Sequence, residues 1–260
     1  MLRILLHSSK TMRTPANHAP PLGQPALMAK AVELAGSYRA LSDRDVATIM
    51  KISPVKAKEV QALYQEWSAG PEGSVPAVDA FIGDIYSGLQ AREWSPADRA
   101  YAHERLLILS GLYGGLRACD GILPYRLEMG YKLPDGTSLY SFWQRDIAAL
   151  LAAPTTAIVN LSAVEYTKAV LPYVSVPVVT PKFLTVSPKT GQPTFVTVHA
   201  KIARGAFANW MIKNRVGDIT ALRSFGDLGY AYDENASTPE QPVFVCQEFQ
   251  GLGLSVRLLA

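Results

Sequence analysis

The chain has 260 residues, of which 48% are hydrophobic and 18% are charged, and its formal net charge is +3. These values are typical of a folded globular protein and exclude a disordered or collagen-like chain. A net charge so close to zero gives no general attraction to nucleic acid. Any nucleic-acid site must therefore come from local clustering of basic residues.

Cysteine usage and hydropathy bear on the cellular compartment. Cys119 and Cys246 are too few and too far apart for a secreted disulfide framework. We interpret each as a small buried side chain in a reducing cytosol, with a peroxide-sensing thiol as the alternative. The apolar run at residues 2–6 is too short for a signal peptide, and no run approaches the 18 apolar residues of a membrane helix. The sequence predicts a cytoplasmic protein without membrane contact.

Strand-like and helix-like segments alternate along the chain. Ser42 followed by Asp45 is an acidic variant of the capping box, and Pro54 suits a first helical turn, so a helix begins at each place. The glycines of residues 111–115 predict a tight turn. The predicted strands lie at residues 2–6, 77–82, 106–109, 157–161, 176–186, 194–199 and 242–249. The predicted helices lie at residues 26–38, 42–52, 54–67, 95–104, 138–152, 164–170 and 200–215.

This alternation predicts an α+β or mixed α/β fold with a central mixed sheet and flanking helices. No internal repeat and no linker-like segment interrupts the pattern, so we expect residues 1–260 to form one compact domain, and the protein to be a monomer. A helical hairpin at about residues 41–67 is expected as an insert in this domain.

The common enzyme motifs are absent. The sequence has no G-x-x-x-x-G-K-S/T loop, no dinucleotide fingerprint and no G-x-S-x-G elbow. The four histidines show no metal-ligand spacing. We therefore predict no cofactor and no metal site.

Residues 200–215 predict a helix with one basic face. At about 100° per residue, Lys201, Arg204 and Arg215 fall within about 60° of one another, together with Ala208. A small residue among cations lets a flat partner approach, and guanidinium groups bind phosphate oxygens in pairs. The alternative interpretation is an ordinary solvated helix face.

The segment Leu41–Trp67 predicts two short helices joined by a tight turn. Backbone N–H groups at the start of the second helix could hold a phosphate group, assisted by the helix dipole and by nearby lysines. This resembles a helix-hairpin-helix element, although the usual hairpin glycines are missing, and a plain helical hairpin is the alternative. The residues expected to contact phosphate are Lys51, Ile52, Ser53, Lys56 and Lys58.

Several polar residues stand in otherwise apolar segments. A charged residue just after a strand often lies at the carboxyl edge of a sheet, where α/β proteins bind ligands. The alternative is a set of internal ion pairs, such as Arg126 with Glu128 or with Asp120. The residues concerned are Asp84, Tyr86, Arg117, Asp120, Arg126, Glu128, Asn160, Glu165, Tyr166 and Lys168.

These segments also resemble, in the same order, the signature blocks of the YaaA peroxide-stress family. SSKTM at residues 8–12 is similar to the family's N-terminal block, with Lys10 and Thr11 in place and Ser9 where Pro-Ala character is expected. The blocks that carry the resemblance cover most of residues 80–235. They are FIGDIYSGLQA (81–91), LSGLYGGLRACDGILPYRLEMG (109–130), VNLSAVEYTKAV (159–170), AKIARGAFANWMIKNR (200–215) and GYAYDE (229–234).

The resemblance implies a compact mixed α/β fold with a helix-hairpin-helix-like element and a positively charged cleft. It also implies a role in the response to hydrogen peroxide, and binding of DNA, including distorted or partly unpaired duplex. Ile52 to Lys58 would be the hairpin contact. Carried over by position, the cleft residues would be Lys10, Arg117, Arg126, Lys168, Lys201, Arg204, Lys213 and Arg215.

The leading hypothesis is a DNA-binding protein that contacts the phosphate backbone with weak sequence preference. The alternative is an enzyme acting on nucleic acid or a nucleotide, in which a lysine beside a carboxylate acts as nucleophile. Iron storage is disfavoured, because iron sites prefer clusters of histidine and carboxylate. The candidate catalytic residues are Lys10, Lys168 and Lys201 with Asp84, Asp120 or Glu128.

Overall fold

The computed structural model describes residues 1–152 and 154–251. The strands are β1 (Leu2–His7), β2 (Thr11–Met12), β3 (Val75–Pro76), β4 (Phe81–Ile82), β5 (Leu106–Ser110), β6 (Gly114–Arg117), β7 (Gly121–Ile122), β8 (Ala157–Asn160), β9 (Val178–Val179), β10 (Lys182–Val186), β11 (Pro193–Thr194), β12 (Tyr230–Asp233) and β13 (Val243–Cys246). The α-helices are α1 (Met28–Arg39), α2 (Asp43–Met50), α3 (Pro54–Glu66), α4 (Ala77–Ala80), α5 (Asp84–Leu89), α6 (Pro96–Arg105), α7 (Leu139–Trp143), α8 (Asp146–Ala149), α9 (Val164–Thr167) and α10 (Thr197–Lys213).

The central sheet has the strand order β6–β5–β1–β8–β9. β1 runs parallel to both β5 and β8, β9 runs parallel to β8, and β6 is antiparallel to β5. From β1 the chain first builds the sheet on one side, through β5 and β6, and then returns to add β8 on the other side. This reversal makes the carboxyl ends of β1 and β8 a switch point, where α/β proteins form a crevice. The predicted mixed α/β fold is confirmed.

A second sheet has the strand order β11–β10–β13–β12 and packs against α10. The contact is an aromatic cluster of Phe183 on β10, Phe207 on α10, Phe244 on β13, and Phe225. The ring centroids of Phe207 and Phe225 are 4.8 Å apart, and those of Phe183 and Phe244 are 5.6 Å apart. All four rings are buried. Such rings each remove a large apolar area from water, so they fix the position of α10 on this sheet.

The other face of α10 crosses α5 at two glycines. A Cβ atom on Gly205 would overlap the carbonyl oxygen of Ile85, and a Cβ atom on Gly88 would overlap the carbonyl oxygen of Ile202. The two helix backbones are therefore in direct contact, which only glycine permits at these positions. The crossing holds α10 beside Asp84, the first residue of α5.

The predicted strand at residues 77–82 is wrong over most of its length. Residues Ala77–Ala80 form the short helix α4, and only Phe81 and Ile82 are extended. Asp79 on this helix forms a buried ion pair with Arg99, with an Oδ2–Nη1 distance of 2.7 Å. A short apolar run is compatible with a buried helix or a buried strand, so periodicity alone could not distinguish them.

The predicted helix at residues 138–152 is broken into α7 and α8. The break falls at Gln144, whose φ of 43° lies in the left-handed region. The side chain of Lys30 donates to the carbonyl oxygen of Phe142 and to the carboxylate of Asp146, both at 2.6 Å. This distant lysine supplies a partner for a carbonyl group at the break, a contact that no local pattern could reveal.

The predicted two-stranded unit at residues 176–186 and 194–199 is only partly present. β10 does pair with β11, and the turn between them uses Gly191 at a φ of 67°. However, α10 already begins at Thr197, and Val178–Val179 joins the central sheet instead. At residues 111–115 the predicted turn is present, but Gly114 also begins β6, which the sequence did not indicate.

The helical hairpin at residues 41–67 corresponds to α2 and α3, which pack against each other. Ser42 and Asp45 form the reciprocal capping box that the sequence predicted. Between the helices, Lys51 adopts a left-handed conformation with a φ of 52°. Lys51 thus takes the backbone conformation for which glycine is the usual residue. The two helices are present and pack against each other, whereas a helix-hairpin-helix element that binds DNA stays a prediction.

The α5–α10 crossing generates the first testable prediction. Gly205→Ala should lower the free energy of unfolding by roughly 3 kcal/mol or more, because the new methyl group forces the two backbones apart. Gly36→Ala is the matched control, since a Cβ atom there has nothing within 4 Å. In the interior of α1 it should raise stability by about 0.5–1 kcal/mol. Urea unfolding of both variants measures this, and equal effects would contradict the backbone contact.

Candidate functional site

A cleft of about 420 Å³ lies at the carboxyl end of β1. β1 supplies His7, and the residues just after it supply the serines and Lys10. α5 contributes Asp84 and α10 contributes Lys201. The remaining walls come from Glu128 and from the segment after β8, with Glu165 and Tyr166. The cleft thus occupies the crevice that the strand order creates.

His7 lies at the floor of this cleft as a neutral imidazole. Its Nδ1 accepts the backbone N–H of Ala163 at 3.1 Å, so Nδ1 carries no proton and Nε2 does. The ring stacks on Tyr166 with centroids 4.9 Å apart. Burial lowers the pKa of His7 to about 3, with smaller contributions from the positive charges of Arg204 and Lys201. His7 therefore offers an Nε2–H donor at neutral pH.

Buried hydroxyl groups extend from the floor of the cleft into the protein. Ser8 donates to the hydroxyl of Tyr166 at 3.3 Å, and Ser110 pairs with Tyr125 at 2.6 Å. Tyr86 donates to the backbone carbonyl of His7 at 2.9 Å. Burial raises the pKa of Tyr125 and of Tyr166 well above the usual range. These phenols are therefore neutral hydrogen-bonding groups and not candidate anions.

Glu128 contacts the basic and hydroxyl groups on one wall of the cleft. Its carboxylate accepts from Lys10 at 2.6 Å and from the hydroxyl of Tyr131 at 2.6 Å, and Nη2 of Arg126 lies 3.7 Å away. Burial, together with Glu128, raises the pKa of Tyr131 to about 12. Glu128 is buried, whereas the Lys10 side chain is 64% exposed. The ammonium group of Lys10 is thus held at the mouth of the cleft, with its charge partly offset.

The opposite wall carries Asp84 and Lys201, and Arg204 follows Lys201 by three residues on α10 without lining the cleft itself. Lys201 lies 4.0 Å from the carboxylate of Asp84, a loose pair. Burial lowers the pKa of Arg204, which is half-buried and close enough to His7 to influence its pKa. Within residues 1–152 and 154–251, Arg204 has no ion-pair or hydrogen-bond partner. Arg204 is therefore a cation close to the cleft that is available to a ligand.

Four of the six candidate catalytic residues line this cleft, namely Lys10, Asp84, Glu128 and Lys201. Lys168 is exposed just after α9, and Asp120 lines a different pocket, so neither contributes to the cleft. Arg126 does not line the cleft, but its guanidinium group lies 3.7 Å from the carboxylate of Glu128, which does. The pattern of polar residues in apolar segments thus identified Asp84 and Glu128 as residues of the cleft.

Other residues of the expected basic set lie elsewhere. Lys213 and Arg215, at the end of α10, pair with the carboxylate of Asp98 at 3.1 Å and 2.8 Å. Partial burial acts to raise the pKa of Asp98, but hydrogen bonds from Ser95, Lys213 and Arg215 outweigh it and lower that pKa well below the usual range. These two cations therefore stabilise the contact between α10 and α6 and do not face the cleft.

Arg117 lies at the end of the central sheet opposite to the cleft, where β1 and β5 begin. On β6 it is paired with Leu107, near the amino end of β5, because β6 runs antiparallel to β5. There it lines a second pocket together with Arg3, His103 and Asp120. Arg117 is thus separated from Lys10 and Lys201 by the length of the sheet.

The hairpin residues form a separate basic surface. Ser53 caps α3 by accepting the backbone N–H of Lys56 at 3.3 Å, and Lys56 pairs with Glu59 at 2.6 Å. Lys51 and Lys58 are exposed. Ile52 packs against the core. One backbone N–H at the start of α3 is thus already occupied by the serine cap.

His7, Ser8, Ser110 and Tyr125 were missed at the level of sequence, whereas Tyr86 and Tyr166 were among the polar residues noted in apolar segments. The signal was available for His7, which follows the three apolar residues 4–6 and precedes Ser8 and Ser9. Ser110 and Tyr125 carry no such signal, because a lone serine or tyrosine in an apolar segment is usually a core residue.

Both cysteines are buried free thiols, as expected. Burial raises the pKa of Cys119 to about 11 and also raises that of Cys246. A thiolate is the reactive form, so these values disfavour a peroxide-sensing role. In the part of the chain that the structure describes, no cluster of three metal-ligating side chains occurs, and no helix is long and apolar enough to cross a bilayer.

Fold and cleft together define a mixed α/β protein with a polar cleft at the switch point of its central sheet. The chain matches the family model described as "Peroxide stress protein YaaA" over residues 2–236. It is 52% identical over 257 residues to a UPF0246 protein of Salinispora tropica, covering 98% of this chain and 97% of the relative. The chain belongs to the YaaA peroxide-stress family, as the signature blocks indicated.

More distant relatives cover a similar span. A UPF0246 protein of Burkholderia vietnamiensis is 38% identical over 255 residues, which are 93% of this chain and 97% of the relative. A UPF0246 protein of Cereibacter sphaeroides is 42% identical over 239 residues, which are 89% of this chain and 91% of the relative. The similarity therefore covers the central sheet, the cleft and α10 together.

The buried imidazole of His7 generates a prediction about pH. Its folded pKa of about 3 lies below the unfolded value of about 6.5, so the stability that it supports is present above pH 6.5 and is lost as the pH falls. Between pH 7 and pH 5 this group should lower the free energy of unfolding by about 2 kcal/mol. His7→Asn keeps an acceptor for the backbone N–H of Ala163 but does not titrate. This variant should therefore lack the part of the decrease in the free energy of unfolding that His7 causes between pH 7 and pH 5.

Urea unfolding at both pH values measures the effect. His18→Asn, which replaces an exposed histidine in a loop, is the matched control and should keep the wild-type pH dependence. An unchanged pH dependence in His7→Asn would show that His7 is not held neutral by the fold.

Proposed function

We propose that this chain is a DNA-binding protein of the peroxide-stress response, and that it holds the sugar-phosphate backbone of duplex or distorted DNA at the cleft. The observation that carries this proposal is Arg204, a half-buried guanidinium group without a carboxylate partner among the described residues, on the same helix as Lys201. A guanidinium group in such a place binds a phosphate with two parallel hydrogen bonds.

The neighbouring groups suit the same ligand. Lys201 lies at 4.0 Å from Asp84, so a phosphate oxygen can compete for its ammonium group. Lys10 is exposed at the mouth. Neutral donors, His7 Nε2–H and the hydroxyls beside it, can bind sugar or phosphate oxygens without adding charge. Because these groups do not form a base-reading helix, we expect weak sequence preference.

The net attraction should be modest, because Asp84 and Glu128 lie among the cations. With Lys10, Lys201 and Arg204 each neutralising one phosphate, the plot of log K against log salt should have a slope of roughly −3 for duplex DNA. The slope would be steeper if all eight basic residues that the family resemblance assigns to the cleft contacted phosphate.

Arg204→Met tests the cleft. It keeps an apolar side chain of similar length but removes the charge, so DNA affinity at 0.1 M salt should fall roughly tenfold and the slope should weaken by about 0.9. Arg223→Met removes the same charge from an exposed residue that does not line the cleft and is the matched control. Fluorescence anisotropy with a labelled duplex measures both. A flat salt response in the wild type, or equal losses in the two variants, would contradict the proposal.

The hairpin is proposed as a second, weaker contact. Lys51→Gly removes a charge while keeping the left-handed backbone, so it separates charge from conformation. We expect DNA affinity to fall about two- to fivefold with the free energy of unfolding unchanged or raised. Lys189→Gly, in the exposed turn before β11, is the control and should bind DNA as the wild type does. Unaltered affinity in Lys51→Gly would remove the hairpin from the DNA contact.

A further inference from the structure

A second pocket, of about 450 Å³, opens at the amino edge of the central sheet. Its volume lies in the range of pockets that bind small molecules. Apolar side chains, Leu107 and Leu150, form part of its wall. The polar residues that define this amino-edge pocket are Arg3, His103, Glu104, Arg117 and Asp120. The cleft at the carboxyl edge uses none of these residues.

Positive charge is concentrated at this edge. The side chain of Arg3 donates through Nη1 to the backbone carbonyl of Glu104 and through Nε to Thr155, while Nη2 has no hydrogen-bond partner within the described residues. Burial lowers the pKa of Arg3, and the nearby guanidinium groups of Arg117 and Arg105 lower it further, against a smaller opposing effect of Glu104. Among the residues that the structure describes, none of these three arginines has a carboxylate within 4 Å.

Asp120 adds a buried acceptor that is not used. It is 1% exposed, and its Oδ2 accepts the backbone N–H of Arg117 at 2.8 Å. Its Oδ1 is buried and has no hydrogen-bond partner in the described part of the chain. A Cβ atom added to Gly23 would lie 3.2 Å from this Oδ1 and 3.5 Å from Nε2 of His103. The two polar atoms therefore both lie in the space beside Gly23, and both residues line the amino-edge pocket.

The imidazole of His103 presents a donor to that space. Its Nδ1 accepts the backbone N–H of Cys119 at 3.3 Å, so the proton of the neutral ring is on Nε2. Burial, assisted by the charge of Arg117, lowers the pKa of His103. Burial likewise raises the pKa of Asp120 to about 6. A buried carboxylate oxygen without a partner is costly, and a hydrogen bond from a ligand would relieve that cost.

We propose that the amino-edge pocket binds a small phosphate monoester that also carries a hydroxyl or amino group. Arg3 and Arg117 bind the phosphate, and Oδ1 of Asp120 accepts a hydrogen bond from the hydroxyl or amine. The volume of the pocket suits a single small molecule.

Isothermal titration of the full-length protein at pH 7.5 tests the proposal with ribose 5-phosphate, inorganic phosphate and ribose. Ribose 5-phosphate should bind most tightly, inorganic phosphate more weakly, and ribose not measurably. Arg117→Met should weaken ribose 5-phosphate binding about tenfold or more, because it removes a paired phosphate contact. Arg117 is exposed, so the variant should fold. Arg223→Met is the matched control and should bind as the wild type does.

Asp120→Asn provides a second, independent readout. It retains an acceptor oxygen and removes the negative charge that opposes an anion, so inorganic phosphate should bind severalfold more tightly. The proposal is overturned if no phosphate compound saturates the protein by about 10 mM. It is also overturned if Arg117→Met binds ribose 5-phosphate as the wild type does, or if ribose binds equally well.

The same variants separate this site from the DNA cleft. Arg117→Met should leave the affinity for duplex DNA and its salt dependence unchanged, whereas Arg204→Met should leave ribose 5-phosphate binding unchanged. Loss of ribose 5-phosphate binding in Arg204→Met would contradict two separate sites. Loss of DNA binding in Arg117→Met would instead show that the arginines of this edge contact the DNA backbone.

Discussion

The direct contact between the backbones of α5 and α10 is the constraint on which the cleft depends. Gly88 and Gly205 leave no room for a side chain at the crossing, and the aromatic cluster around Phe207 holds α10 from its other side. α10 therefore has little freedom to slide or rotate, since movement in either direction meets carbonyl oxygens or packed rings. Lys201 and Arg204 consequently stand at fixed positions across from the end of β1.

This fixed geometry explains why the cleft can be polar without being strongly basic. Lys10 lies against Glu128, and Lys201 lies near Asp84, so each of these two lysines has an acidic neighbour. Such pairs contribute little to stability when they are exposed. They keep long side chains ordered at the mouth of the cleft, which lowers the entropy lost when a ligand replaces the acid.

The sequence predicted those features that are encoded locally. Capping residues such as Ser42 located the helices of the hairpin, and polar residues in apolar segments located Asp84 and Glu128 in the cleft. The failures have tertiary causes: Lys30, far along the chain, contacts the break between α7 and α8. Arg117 was assigned to the wrong edge because periodicity does not reveal that β6 runs antiparallel to its neighbour.

The position of Arg117 matters because the two edges of the sheet are electrostatically distinct. A strand rises about 3.3 Å per residue, so the Cα atoms of Arg3 and His7 are roughly 13 Å apart along β1. This exceeds the screening length of about 8 Å at physiological ionic strength. The solvent-exposed charges of the two edges are therefore largely screened from each other, although one strand runs between them. The basic residues that the sequence suggested as one group therefore form two separate groups. The direction of β6 places Arg117 at the end of the central sheet opposite to Lys10 and Lys201.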